Sequence, residues 1–154
     1  MDKIQYTRYD TMKERRNGRM LAAICLDNCN GMSFHRRRQS RDRAVIEDLL
    51  LTASSARLRI PPYSAELFEA CPEAVIIEEA YLERSLEGDI CFVELDPLKP
   101  VEKRLEGLIV YRWNRSYPSD HRLDIALSDF ILTKSYDFSG SSHERITKEV
   151  YVRC

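Results

Sequence analysis

Arg36, Arg37, Arg38, Arg41 and Arg43 place five guanidinium groups within eight residues. The planar fork of arginine matches a phosphate or carboxylate bidentately. On a loop that leads into a helix N-terminus, such a cluster can clamp an anion. The same residues could contact the backbone of RNA or DNA. The plain structural alternative is a solvated basic loop paired with Glu47, Asp48 or the acids of a partner. The formal net charge of −1 excludes a global field that draws in nucleic acid or membrane, so polyanion binding would be local to this patch. Asp42, inside the patch, is the candidate catalytic acid: its carboxyl could protonate a bound heterocycle. That role needs burial or neighbours that bring its pKa near the working pH. Arg41 and Arg43 beside it would lower the pKa, so an acid in the first turn of a helix is the alternative.

Other reactive residue types form weaker patterns. His35 and His143 fall in expected loops, and no GxSxG elbow is present. Ser139-Gly-Ser-Ser-His143 reads as a hairpin tip, and adjacency of Ser and His in sequence is not a catalytic arrangement. His121 beside Asp120 and Asp124 reads as a surface charge cluster. The five cysteines are spread along the chain, with Cys25 and Cys91 inside apolar runs, so buried reduced thiols are expected. Cys25 and Cys29 lack a second Cys/His pair at zinc spacing, so no metal site is expected. Trp113 follows a strong strand and could line a pocket or fill the core.

These residues need a scaffold. A chain of 154 residues that is 44% hydrophobic supports one domain with a packed core. Residues 1–18 are polar and basic and read as a lead-in; residues 19–154 read as a single α/β domain. No apolar run approaches the roughly 20 residues of a membrane span. The N-terminal stretch has no apolar h-region, which predicts a cytoplasmic protein.

Met20–Leu26 reads as a strand with small Ala22 and Ala23 at its centre, where a helix or a ligand can approach closely. A turn at Asp27-Asn28-Cys29-Asn30-Gly31 and the arginine-rich loop follow. The first helix is expected from Ser40 as N-cap, with Asp42 in its first turn, to the polar cluster around Thr52–Ser55. Leu58–Ile60 is a short strand stopped by Pro61-Pro62, and residues 64–70 a short helix capped by Ser64. Then come a strand at 74–77, a short helix at 78–86 and an apolar central strand at 90–93. A helix opened by Asp96-Pro97 runs to about residue 105, before a strand at 108–113. This alternation predicts a mostly parallel central sheet with flanking helices. Phe130–Phe138 and 146–152 predict a C-terminal antiparallel hairpin.

That order, with the first segment, resembles the dihydrofolate reductase family. The residues that carry the likeness are Leu21-Ala22-Ala23-Ile24-Cys25-Leu26-Asp27, then Asn30-Gly31-Met32, then Asp42 at the first helix. Later come a strand containing Tyr111, Asp120 or Asp124, and Lys148-Glu149-Val150-Tyr151 in the last strand. The resemblance implies a ligand site built from Ala22, Ala23, Asn30, Gly31, Met32, Asp42 and Tyr111, with NADPH as the family's cofactor. The chain departs from the family on the cofactor side. Pro61-Pro62-Tyr63-Ser64 replaces a Gly-Arg-x-Thr phosphate grip, and two prolines remove N–H donors. Val93-Glu94-Leu95-Asp96 replaces a Gly-Gly pair, placing carboxylates where a pyrophosphate would sit. Two readings follow. One is a divergent relative that binds a small heteroaromatic or phosphorylated ligand near Arg36, Arg37, Arg38 and Arg41, with NADPH reduction lost. The other is an active NAD(P)H-dependent reductase of a pterin-like substrate. A nucleic-acid or acidic-partner module using the arginines stays open, as does a homodimer.

Overall fold

The computed structural model describes residues 18–154; the expected lead-in, up to residue 17, lies outside the described residues. Strand β1 (Met20–Leu26) is the keystone. It pairs in parallel with β6 (Ile90–Phe92) on one side and β7 (Leu105–Arg112) on the other. A strand covered on both faces must be apolar throughout, and Met20, Ala22, Ala23, Ile24 and Leu26 are all fully buried. The sheet continues outward through β4 (Leu58–Ile60) and β5 (Val75–Ile77), and on the other side through β10 (Ile146–Arg153) and β9 (Phe130–Phe138). The order is β5-β4-β6-β1-β7-β10-β9. Strand β10 runs antiparallel to both of its neighbours, so the mostly parallel sheet ends in the expected antiparallel hairpin. Edge strand β9 carries Lys134 and Asp137 and a register shift against Val150/Tyr151, features that discourage further pairing.

Side chains alternate between two cores. Ala22, Leu108 and Val110 enter one apolar cluster with Tyr81, Leu98 and Phe130. Ala23, Ile109 and Tyr111 enter the other with Phe68, Phe92 and the buried face of helix α1 (Arg43–Thr52). Within α1, Val45 and Leu49 turn inward, at the i, i+4 spacing of one helix face.

Local structure departs from expectation in four places. Helix α1 is capped by Asp42, not Ser40, and Asp42 precedes the first turn instead of lying in it. Ser40 is three residues upstream of the first helical residue, and the Asp42 carboxylate reaches the Ala44 N–H at 2.9 Å. Of the flanking helices, α1 is the α-helix among the described residues. Pro62–Phe68 and Lys99–Arg104 are 3-10 turns begun by prolines, so Ser64 lies inside the former and does not cap it. Residues 78–86 form turns instead of a helix, because the Arg104 guanidinium takes the carbonyls of Leu82 (3.1 Å) and Ser85 (2.6 Å). The arginine-rich loop is a hairpin. Strands β2 (Gly31–Phe34) and β3 (Arg37–Arg38) pair antiparallel, and β8 (His121–Arg122) completes a three-stranded sheet. Among the described residues, no helix is long and apolar enough to cross a membrane.

Candidate functional site

Two constellations lie beyond the C-terminal end of β1. The first is built on Asp42, which is 3% exposed. Its two oxygens accept from the Ala44 N–H (2.9 Å), Ser141 N–H (2.8 Å) and Ser141 hydroxyl (3.0 Å). They also accept from the Ser142 N–H (2.9 Å), the His143 N–H (3.1 Å) and His143 Nδ1 (3.0 Å). The tip of the β9–β10 hairpin is thereby folded onto the start of α1. A Cβ at Gly140 would stand 2.5 Å from Asp42 Oδ2, so glycine is required for this approach. Burial by itself would raise the Asp42 pKa, but the donors from Ser141, His143 and Ser142 hold its carboxyl well below the ordinary carboxylate range. The flanking arginines, expected to be the cause, are not among the leading ones. His143 continues the network: its Nε2 lies 2.8 Å from the Tyr117 hydroxyl and 3.3 Å from Ser40 Oγ. The Trp113 ring stacks on the imidazole at 4.5 Å between centroids.

Beneath this network two small cavities remain, one reaching Cys25, Asp42 and Trp113, the other Met32, Gln39 and Trp113. Each is about 10 Å³, the room of about one water. Burial, then the Glu94 and Asp42 charges, push the Cys25 thiol well above its ordinary value, which disfavours a nucleophilic thiolate.

The second constellation is the β2–β3 hairpin with the chain at 116–118. A cleft of about 480 Å³ opens between them, lined by Phe34, His35, Arg37, Arg38, Gln39, Tyr117 and Pro118. The two-residue turn of the hairpin puts His35 (φ 49°) and Arg36 (φ 57°) in the left-handed region. A turn of this hand suits the strand twist but favours Asn and Gly. His35 stacks on Phe34 with centroids 3.9 Å apart, and its N–H donates to the Asp120 carboxylate at 3.2 Å. Arg36, Arg37 and Arg41 are exposed and form no ion pair among the described residues. The Gln39 amide donates to Asp27 Oδ2 (3.0 Å) and the Pro118 carbonyl (3.3 Å), which leaves its own oxygen buried with no partner.

Arg38 belongs to neither group of free cations. Its Nε and Nη2 donate to Glu94 at 2.8 and 3.1 Å, it pairs with Glu66, and it lies over the Tyr63 ring at 4.5 Å. Ser64 donates to the same Glu94 at 2.7 Å. The Glu94 charge at the end of β6 is therefore compensated from within the protein. Asp96, the other carboxylate there, accepts from the Tyr81 hydroxyl at 2.7 Å.

The remaining sequence candidates have structural partners. Ala22 and Ala23 face opposite cores. Asn30 turns the chain at φ 60° and accepts from Arg112 at 2.6 Å. Gly31 is pressed against Asp27, Gln39 and Ser119, and Met32 is in the core. The Tyr111 hydroxyl donates to Asp48 at 2.6 Å, where Lys148 also pairs at 2.8 Å. The structure thus separates the exposed arginines: Arg37 lines the cleft, Arg36 a cavity of about 180 Å³ with Pro61, Pro62 and Asp96, and Arg41 the small cavity beside Asp42, while Ala22, Ala23 and Tyr111 stay in the core. Phe34, Gln39 and Tyr117 were not singled out from sequence. The Phe34-His35 pair before the arginines was an available signal for the first. The His143–Asp42 pair spans 101 positions, and nothing local in the sequence announces it. No group of three or more His, Cys, Asp or Glu placed to hold a metal occurs among the described residues.

No protein-family model matches the chain, and no curated protein does. Among solved structures it is similar to the dihydrofolate reductase from Enterococcus faecalis complexed with NADP(H) and RAB-propyl. The superposition has a TM-score of 0.59 and 12% sequence identity, and covers 88% of this chain and 96% of that one. The chain has the dihydrofolate reductase fold.

Proposed function

We propose that the protein binds a phosphorylated small heteroaromatic molecule in the cleft beside the β2–β3 hairpin and does not reduce a pterin with NADPH. One observation carries this reading: an open cleft of about 480 Å³ in which an aromatic stack, Phe34 on His35, stands beside the exposed guanidinium of Arg37, which has no ion pair among the described residues. A flat ring can lie against the stack, and a phosphate can take the fork of Arg37. Two non-glycine residues at positive φ in the turn that presents these groups support the reading, since strain of this kind collects at binding sites.

A dinucleotide cofactor does not fit the residues present. By the resemblance its phosphates would meet Pro61-Pro62 and the end of β6. Pro61 and Pro62 offer no N–H, Glu94 at the end of β6 is tied to Arg38 and Ser64, and the cavity of about 180 Å³ left there presents the Glu79 and Asp96 carboxylates beside Arg36. On the substrate side, cavities of about 10 Å³ have no room for a pterin, and Asp42 has the bonding of a cap. The role proposed for Asp42 is therefore structural.

Thermal-shift titration tests the reading. Mononucleotides should raise Tm, whereas NADPH at millimolar concentration should not do so beyond its phosphates alone. Arg37→Ala should weaken mononucleotide binding about tenfold, or ~1.4 kcal/mol, with Tm of the free protein changed little. A shift by NADPH that survives Arg37→Ala would return the reductase reading. An oligonucleotide that binds far more tightly than any mononucleotide would favour nucleic acid.

A further inference from the structure

Asp42 is saturated, yet it remains connected to the cleft. The connection runs from Asp42 through His143 to Tyr117, and Tyr117 lines the 480 Å³ cleft. The hydrogen positions follow from the partners. A carboxylate that is already ionised can only accept, so His143 Nδ1 carries the ring proton. Nε2 is then an acceptor, and the Tyr117 hydroxyl at 2.8 Å points its proton at it. Ser40 Oγ, at 3.3 Å, is the poorer competitor. The His143 and Asp42 side chains are 1% and 0% exposed, and Trp113 stacks on the imidazole. The ring is therefore fixed in tautomer and orientation while its far nitrogen serves a group that ligands can reach.

We propose that Tyr117 is a general-base residue of the cleft, relaying a proton from a bound ligand to His143 while Asp42 holds the imidazole. In the step, the Tyr117 oxygen takes a proton from an N–H or O–H acid of the ligand as its own proton passes to His143 Nε2. The products are the ligand anion, an unchanged phenol and an imidazolium beside the Asp42 carboxylate. The proton returns along the same path, and no oxidant or reductant is consumed. Chemistry of this kind suits tautomerisation of a heteroaromatic lactam or amide. Tyr117 is the catalytic residue; His143 and Asp42 are positioning residues that act through it.

The inference rests on the cleft as the ligand site, but its test needs no ligand. An aryl sulfonyl fluoride reports a base-assisted phenol: the Tyr117 oxygen attacks sulfur, fluoride leaves, and the phenol proton passes to His143. The full chain should be labelled at Tyr117 roughly 100-fold faster than at its other tyrosines, the scale of a positioned base. His143→Gln should abolish that advantage, and Tyr117→Phe should remove the label. Should His143→Gln fail to fold, the wild-type pH profile decides. The titratable groups bonded to His143 are Asp42 from the start of α1 and Tyr117; Cys25, Arg41 and Glu94 line the small cavity that Asp42 borders. With a base already in place, labelling should be level between pH 8 and 10. An unassisted phenol accelerates about tenfold per pH unit over that range. Labelling spread evenly over the tyrosines, a label on Ser40, or a rate that climbs towards pH 10 would each overturn the relay. Such failures leave the binding reading intact, whereas absence of any nucleotide thermal shift removes the binding reading and, with it, the ligand from which the relay would take its proton.

Discussion

Two hairpin tips face the same end of the sheet and are built on opposite terms. At the β9–β10 tip, Ser141, Ser142 and His143 give their N–H groups to Asp42, and the imidazole is buried against Trp113. At the β2–β3 tip, His35 and Arg36 hold positive φ, Arg37 finds no acid among the described residues, and a ring stack is left in solvent. Polar satisfaction stabilises the first tip; the second carries strain and unused hydrogen-bonding capacity. Natural domains tolerate such strain where a site is presented. The contrast separates a carboxylate that looks catalytic by its place in the chain from cations that look merely solvated.

The largest expected effect comes from breaking the satisfied tip. Asp42→Ala removes the α1 cap and leaves the buried His143 N–H and the part-buried Ser141 and Ser142 N–H groups without their acceptor, a loss of about 2–4 kcal/mol. Chemical denaturation should register it, and Tm should fall by roughly 10 °C. The same carboxylate sets an acid limit. Its folded pKa lies below that of the unfolded chain, so its stabilisation is complete above about pH 4 and is lost as pH falls through the folded value. The fall of stability below pH 4 should therefore be shallower in Asp42→Asn than in wild type. Equal slopes would show that Asp42 is not the saturated cap described above.

Glu94→Gln ranks next. It leaves the guanidinium of Arg38 with the exposed Glu66 as its acid, a loss of about 2 kcal/mol. It also makes a second cation available at the cleft. Phosphate affinity should rise as stability falls. A fall in both would place the anion elsewhere.

The sequence made much of the scaffold legible because its signals were local. The unbroken apolar run of Met20–Leu26 marks a strand covered on both faces, and Phe130–Phe138 with its turn-rich successor marks the hairpin. The helices were over-read. Prolines at 62 and 100 begin helical turns without sustaining them, and Arg104 intercepts carbonyls from a segment far away in sequence. The candidate site was legible only in part for the same reason. Five arginines in a row of eight residues stand out, but which of them is neutralised depends on Glu94 and Glu66, distant in the chain. The choice of Asp42 over Ser40 as cap depends on a hairpin tip about 100 residues downstream.

The smallest effect is the most direct test of strain as a mark of function. His35 and Arg36 occupy the two central positions of a turn in which both residues have positive φ. Asn-Gly adopts that geometry without the steric penalty a β-carbon brings to the left-handed region. Replacing His35→Asn together with Arg36→Gly should stabilise the protein by about 1 kcal/mol. The same change removes the imidazole from Phe34 and one cation from the turn next to the cleft. If the turn is strained for the sake of a ligand, mononucleotide binding should weaken several-fold while Tm rises by a few degrees. The opposite signs are informative, because a merely suboptimal turn would gain stability and lose nothing. The corresponding change at the other tip, Gly140→Ala, should only destabilise: its β-carbon would press on Asp42 and the His143 carbonyl. Relief of strain at one tip and its creation at the other thus read out which hairpin serves the fold and which serves a ligand.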